Sequence, residues 1–337
     1  MTHLRKIVLG AGTAALFMAG AMSQSFAIEP GDFTNYLRGA TQGLPLGAAP
    51  PPGLYGSYSP NATGLGGNAG KGDQAIPGAV TAPAFGNGFV VLWVPGWKFL
   101  GADYEFAVVQ GAYIATAVAP VNPPFAFQTI SAELANTDWT PIALSWNLGK
   151  GLFAALALHV DAPDGSQWHS TGLDVDLNPD YWTVAPAFAV SYLDANWLLS
   201  ANFRYDIAFA STGVTTALPT FNPAAAKGYV NGNELFGDLT ALYKIGKWSI
   251  GPVAYFEAQT TTDKPGGGIA CNPGICGNQS QVAIGALVGY DFGPVAFQVW
   301  FDDTVECVNA VCGLDVWARI SFRIWGPDAP KPLVAKN

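Results

Sequence analysis

Between Trp197 and Phe209 the chain changes character at almost every step. Trp197, Leu199, Ala201, Phe203, Tyr205, Ile207 and Phe209 form one series, and Ser200, Asn202, Arg204 and Asp206 fall between them, with Leu198 and Ala208. Successive side chains of a strand point to opposite sides, so the run predicts a strand with one apolar and one mostly polar face. Its length exceeds the roughly five or six residues usual in soluble sheets and suits a tilted strand crossing a bilayer. The same alternation recurs in four other runs. Trp182 to Tyr192 places Trp182, Val184, Pro186, Phe188, Val190 and Tyr192 opposite small residues. Leu152 to Asp161 sets Leu152, Ala154, Leu156, Leu158 and Val160 against Phe153, Ala155, Ala157, His159 and Asp161. Trp248 to Gln259 opposes Trp248, Ile250, Pro252, Ala254 and Phe256 to Ser249, Gly251, Tyr255, Glu257 and Gln259. Asp315 to Ile324 opposes Val316, Ala318, Ile320, Phe322 and Ile324 to Asp315, Trp317, Arg319, Ser321 and Arg323.

The connections fall into two classes. Short turns are expected at Pro95–Ala102, Asn147–Gly151, Leu193–Asn196, Ile245–Lys247 and Asp291–Pro294. Longer polar, Gly- and Pro-rich joins are expected at Ser59–Gly86, Ala119–Asp138, Ala162–Asp180, Ala210–Asn233, Thr260–Ser280 and Asp302–Gly313. Short and long alternate, as in bacterial barrels with short periplasmic turns and long extracellular loops. The pattern predicts an all-β fold: a closed, antiparallel, up-and-down transmembrane barrel of about twelve strands over residues 53–325. The preceding stretch, Ile28 to Pro52, is not strand-like. Asp32 is placed to cap a short helix over Phe33–Gly39, and the segment is expected either to enter the lumen as a plug or to form a loose periplasmic lead-in. Residues 326–337 form a C-terminal tail.

Composition sharpens the picture. Charged residues make up 12% of the chain and aromatics 13%, an apolar balance for a protein that carries a leader. Arg5 and Lys6 precede an apolar run from Ile7 to Met22, and Ser25-Phe26-Ala27 offers small residues at a cleavage site, so residues 1–27 read as a secretory signal peptide. Its removal takes away two positive charges and no acid, moving the net charge from -9 to -11. Beyond it no long uninterrupted apolar run suggests a spanning helix, which leaves the closed barrel as the way to satisfy the backbone in lipid. The expected location is the outer membrane of a Gram-negative bacterium, with outer-membrane lipid around the wall. Acidity and a low Lys and Arg content argue against a nucleic-acid partner.

Four cysteines fall as Cys271-x4-Cys276 and Cys307-x4-Cys312. Three pairings are open; turn residues such as Asn272-Pro273-Gly274 beside the first pair favour two local loop clips. No histidine lies near either pair, so no metal site is expected, and no cofactor motif is present.

Several stretches resemble the meta-pathway phenol-degradation family of outer-membrane β-barrel transporters. They are Pro50-Pro51-Pro52-Gly53-Leu54-Tyr55, Lys98-Phe99-Leu100-Gly101-Ala102-Asp103-Tyr104, Asp180-Tyr181-Trp182-Thr183-Val184-Ala185-Pro186-Ala187 and Val190-Ser191-Tyr192-Leu193. The set continues with Gly246-Lys247-Trp248-Ser249-Ile250-Gly251 and Ala283-Ile284-Gly285 through Val288-Gly289-Tyr290-Asp291-Phe292-Gly293. The resemblance implies a barrel that admits small hydrophobic or aromatic compounds, with no catalytic residues to carry over. Two features depart from it: the paired-cysteine loops, and the tail after the last strand. The tail leaves the barrel assembly machinery to read a signal ending near Phe322 or Trp325.

Assigning the polar face inward gives candidate lumen residues. The positive groups are Arg204, Lys244, Arg319 and Arg323; the negative ones are Glu105, Asp206, Asp238, Glu257 and Asp302. Tyr113, Phe153, Tyr181, Phe236, Tyr255, Trp300 and Trp317 supply rings, and His159 and Asn202 further polar groups. Rings with polar tips stack planar solutes while ionised groups set charge preference, which favours a selective, narrow passage over an open porin; small hydrophobic or aromatic solutes are what the family resemblance implies for it. Two other roles are compatible with the chain. The Gly- and Asn-rich loops suit a structural or adhesive surface protein, and His159 near Asp161, or His169 near Asp164 and Ser170, suits a weak hydrolase pattern. No nucleophile stands out, and the expectation is a protein that is not an enzyme.

Overall fold

The computed structural model describes residues 34–67, 69–71, 74–75, 83–120, 126–169, 179–211, 228–264, 278–308 and 310–327. The expected leader, the Cys271–Cys276 loop and most of the C-terminal tail lie outside these residues. Twelve antiparallel strands close into a barrel. In chain order they are β1 Gly53–Leu65, β2 Ala84–Val94, β3 Ala102–Pro120, β4 Thr137–Gly149, β5 Leu152–Ala162 and β6 Thr183–Leu193. The second half comprises β7 Trp197–Ala208, β8 Glu234–Ile245, β9 Trp248–Gln259, β10 Ser280–Asp291, β11 Val295–Val308 and β12 Leu314–Trp325. Each strand pairs with its neighbours in sequence, and β1 pairs with β12 from Leu54↔Trp325 to Leu65↔Leu314, which closes the ring. Closure leaves no unpaired edge in hydrocarbon.

Local chemistry explains the hairpins. Lys98–Phe99 folds back on Ala102–Asp103, with Leu100 and Gly101 between them at φ 50° and 82°. A two-residue turn with both φ values positive matches the twist of the flanking strands, and glycine enters that region freely. At the loop end the strands run on past the wall. The lower part of β3, Asp103–Val109, pairs with β4, whereas Ala112–Pro120 pairs with a further strand at Ala126–Leu134. That strand carries Ser166–His169 in turn. Ala69–Lys71 joins Gln74–Ala75 and Ala310–Val311 in a small sheet above the barrel. The expected joins at Ala119–Asp138, Ala162–Asp180 and Asp302–Gly313 therefore contain strand, because a chain that leaves the membrane still gains by pairing its backbone. Cys307 and Cys312 are disulfide-bonded with Cα atoms 5.9 Å apart, a local clip at the end of β11.

Outward positions are apolar and exposed, including Phe89, Leu156, Phe188, Leu239, Ile284 and Phe301. Aromatic rings gather at the short-turn end. Trp197 meets Tyr243 at 5.0 Å, Trp248 meets Tyr290 at 4.7 Å and Trp93 meets Trp97 at 5.3 Å between ring centroids. Phe85, Trp139, Trp182 and Phe209, also exposed, stand at the loop end of their strands. Two aromatic belts around an apolar band are what a membrane interface selects.

Charge on the lipid face should cost in proportion to depth. Leu239→Arg, midway along β8, is expected to destabilise the barrel by about 2–4 kcal/mol, and Ile245→Arg at the short-turn rim by about 0–1 kcal/mol. Urea unfolding in lipid vesicles measures both; equal costs would count against this placement of the bilayer.

Candidate functional site

Residues Thr34 to Pro52 run down the inside of the barrel, from Asn136 and Thr183 at the loop end to Pro52 at the short-turn end. The expected helix over Phe33–Gly39 does not form across its described residues. Instead, successive tight turns link Ala40 to Leu37, Gln42 to Gly39 and Leu44 to Thr41. Gly39 and Gly43 take positive φ values of 76° and 79°, which end any helical run.

An irregular backbone away from bulk water must find partners outside itself. The wall supplies them. Asp238 accepts from the backbone N–H of Gly39 and of Thr41, both at 3.0 Å, and from the Thr41 and Tyr36 hydroxyls at 2.5 and 2.7 Å. Thr240, Ser191 and Ser145 accept from the amides of Gly43, Gly47 and Ala49 at 2.9, 2.9 and 3.0 Å. Arg319 donates to the carbonyls of Ala40 and Gln42, and Gln298 donates to that of Gly43. Beneath these bonds Leu37 and Ala40 pack on a buried cluster of Leu242, Val253, Leu287, Trp300 and Trp317. The core of the molecule therefore lies between the segment and strands β8–β12.

Three buried guanidinium groups organise the rest. Arg204 donates through Nε to Asp206 at 2.6 Å, through Nη1 to Asp138 at 2.5 Å and through Nη2 to Asp161 at 2.5 Å, and it lies over the Tyr36 ring. Arg38 pairs with Glu257 at 3.2 Å and reaches Tyr255, whose hydroxyl donates to Asp315 at 2.8 Å. Arg319 lies over Trp300, which stacks on Trp317 at 5.4 Å with a 4° interplanar angle. Phe236 meets Tyr36 edge-on at 5.1 Å, and Asp302 accepts from Gln42 at 3.0 Å.

The segment does not fill the lumen. A cavity of about 510 Å³ remains beside it, bounded mainly by the inner faces of β1–β6. Gly88, Val90 and Leu92 line it from β2, Ala107 and Val109 from β3, and Ala155 and Ala157 from β5. Leu44, Pro45 and Leu46 of the segment form the facing side. Polar groups bracket this apolar stretch, and Ser57, Ser59 and Asn61 of β1 run along one side of it. Asp138, His159, Asn202 and Arg204 stand toward the loop end, and Glu105 stands on the fourth residue of β3 near the short turns.

Of the residues picked from sequence, Glu105, Tyr113, His159, Asn202, Arg204, Trp317 and Arg319 line the cavity. Asp206, Asp238, Tyr255, Glu257 and Trp300 are buried among the contacts that hold Arg204 or the segment. Three lie elsewhere. Tyr181 precedes β6 at the loop end, buried and accepting from Asn231 at 2.6 Å. Lys244 sits at the short-turn rim and donates to the Asp194 carbonyl at 3.3 Å. Arg323 is exposed at that same end, donating to the carbonyls of Pro52 and Pro327 at 2.9 and 3.0 Å. Alternation assigns a face but not a height, so residues at strand ends passed for lumen residues. His159 meets both Thr140 and Asp138 through the same atom, Nδ1, at 3.0 and 3.1 Å. Asp138 and Thr140 therefore share one ring nitrogen of His159. The His169 side chain and Ser170 lie outside the described residues. Tyr36, Arg38 and Gln42 went unmarked because the segment has no periodicity. The cavity wall went unmarked because β2 alternates Gly86, Gly88, Val90 and Leu92 with Phe85, Phe89, Val91 and Trp93, small against large rather than polar against apolar.

A closed barrel with two aromatic belts, long loops on one side and a segment threaded through its centre is an outer-membrane β-barrel. The sequence profile described as "Putative MetA-pathway of phenol degradation" matches residues 66–320, and the chain belongs to this family. Among solved structures it is similar to an outer membrane channel from Pseudomonas putida F1, with 10% identity, a TM-score of 0.56, and coverage of 82% of this chain and 96% of that one. The transport unit of the autotransporter AIDA-I from Escherichia coli aligns with 11% identity and a TM-score of 0.49, over 82% and 90% of the two chains. At the level of sequence, no match to a curated protein was found.

The four bonds to Asp238 make it the main fastening of the segment. Asp238→Ala should raise amide hydrogen exchange at Gly39 and Thr41 by roughly tenfold or more, since hydrogen bonds to a charged group are worth about 1.5–3 kcal/mol. Unchanged exchange would mean that Arg319 and the apolar contacts hold the segment alone.

Proposed function

We propose that this protein is an outer-membrane channel that passes small hydrophobic or aromatic compounds through its lumen, along the side that the N-terminal segment leaves open. The observation that carries the reading is the apolar cavity between the segment and the inner face of β1–β6. Sites for small molecules are concave and mostly apolar, with few polar groups, and this cavity has that character. In barrels of eight strands side chains fill the interior, and those of sixteen to eighteen hold an aqueous channel; an intermediate ring narrowed by its own chain suits a selective passage. The family's association with phenol degradation and the likeness to the Pseudomonas putida channel support the same direction. In this reading the lumen charges mostly fasten structure, and the protein is a conduit rather than an enzyme. Assembly would proceed from a final strand ending at Trp325.

Gly88 provides a direct test. It lines the cavity, and a Cβ built there meets nothing within 4 Å, so a larger side chain enters open space without straining the wall. Gly88→Leu should leave folding intact and reduce both single-channel conductance and uptake of small aromatic solutes into proteoliposomes severalfold. Gly237→Leu is not an equivalent control, because its Cβ would lie 2.1 Å from the Phe256 ring. Undiminished conductance and uptake in a folded Gly88→Leu barrel would place the route elsewhere.

A further inference from the structure

Among the described residues, the buried titratable groups that face the segment or the cavity have partners, with Glu105 as the exception. Arg38, Arg204, Asp138, Asp161, Asp206, Asp238 and Glu257 each make ion pairs or several hydrogen bonds. Glu105 is only 9% exposed, faces the cavity, and has no hydrogen-bond or ion-pair partner among the described residues. Its neighbour on β4 is Ala143 and the residue two places on along β3 is Ala107, while two places back stands Asp103, a second acid that offers it no donor. Lys98, the cation of the nearby hairpin, is engaged with Asp103 at 2.6 Å. Ala143 and Ala107 flank the carboxylate, Leu92 pairs with Ala107, and Leu44 and Leu46 of the segment line the same cavity.

A buried carboxylate without a partner is costly, and a polar ligand group that supplies the missing partner recovers that cost on binding. We infer that the cavity is a binding site for a solute with an apolar body and a single hydrogen-bond-donating head, and that Glu105 receives that head. A protonated amine, which also neutralises the charge, should bind most tightly, a hydroxyl next, and a carboxylate least. The site's position, near the short-turn end of a mostly apolar passage, makes Glu105 a residue that selects among solutes rather than one that holds the barrel together. This deepens the channel reading and rests on it for the solute's route, but not for its binding.

Four probes on one ring separate the possibilities: benzylamine, benzyl alcohol, toluene and benzoate, titrated calorimetrically into the full mature barrel in lipid nanodiscs. Subtracting the titration of protein-free nanodiscs of the same lipid removes partitioning into the bilayer. The wild-type protein should bind benzylamine roughly tenfold or more tightly than Glu105→Gln does. Benzyl alcohol should bind both nearly equally, because the amide carbonyl still accepts, and Glu105→Leu should lose both while binding toluene no more weakly. Benzoate should bind the wild type least. Should Glu105→Leu fail to fold, the isosteric Glu105→Gln comparison still decides. Benzylamine affinity indifferent to position 105, or toluene bound as tightly as benzylamine by the wild type, overturns the assignment. Binding is read without a gradient, so a barrel that binds benzylamine through Glu105 yet conducts nothing would sustain this inference and defeat the channel reading. A conducting barrel with indifferent amine binding would do the reverse.

Discussion

Every backbone N–H and C=O withdrawn from bulk water needs a partner, and this requirement shapes the barrel both outside and inside. In the wall the need is met by the ladder of β1–β12, closed where Leu54 meets Trp325. Inside it is harder to meet. A segment that is neither helix nor strand descends the lumen, and its amides and carbonyls bond to Asp238, Thr240, Ser191, Ser145, Arg319 and Gln298. Much of the polarity that an interior view would credit to water or solute is thus engaged with the protein's own chain.

That division gives the barrel two unlike halves. Strands β8–β12 turn inward a mixture of carboxylates, amides and large rings, from Asp238 and Tyr255 to Trp300 and Arg319, and against them the segment packs Leu37 and Ala40. Strands β2, β3, β5 and β6 turn inward mainly glycine, alanine, valine and leucine, with the hydroxyl and amide row Ser57, Ser59 and Asn61 of β1 beside them, and the cavity lies there. The asymmetry follows from volume: large side chains meet the segment, small ones leave space. Tyr113 shows the same economy within β2 and β3. A Cβ at Gly86 would lie 2.4 Å from its ring, so the ring rests where only a glycine lets it lie flat against the wall.

The barrel was legible in the sequence because lipid imposes a period of two on every strand and the connections alternate in length; Trp197–Phe209 and Asp315–Ile324 carry that pattern openly. The family stretch Lys98–Tyr104 was legible as a turn, and Leu100 and Gly101 show the conformation behind it. The site was less so. Period two tells which way Arg204, Lys244 and Arg323 point but not how far each lies from the membrane centre, and only the first reaches the cavity. Asp206 is Arg204's neighbour on its own strand, but its other partners, Asp138 and Asp161, come from strands far away in sequence, and nothing local announces them. The segment, held by bonds between distant residues, carries no periodic signal; its glycines hinted at turns, and the expectation of a capped helix gave local propensity too much weight.

The three buried arginines divide their work in a way that bears on selectivity. Arg204 joins β4, β5 and β7 by giving each of three carboxylates its own nitrogen, a task that a planar fork performs and an ammonium point charge does not. Arg38 and Arg319 instead tie the segment to the wall, the first through Glu257 and the second through backbone carbonyls and an indole face. Each guanidinium is therefore committed before any solute arrives, and so are the carboxylates that face them. Groups already bonded to one another offer a passing molecule few free donors or acceptors, because their N–H groups and lone pairs are in use. In such an interior, discrimination falls to groups that still lack a partner, and the apolar side of the lumen presents its carboxylate at Glu105.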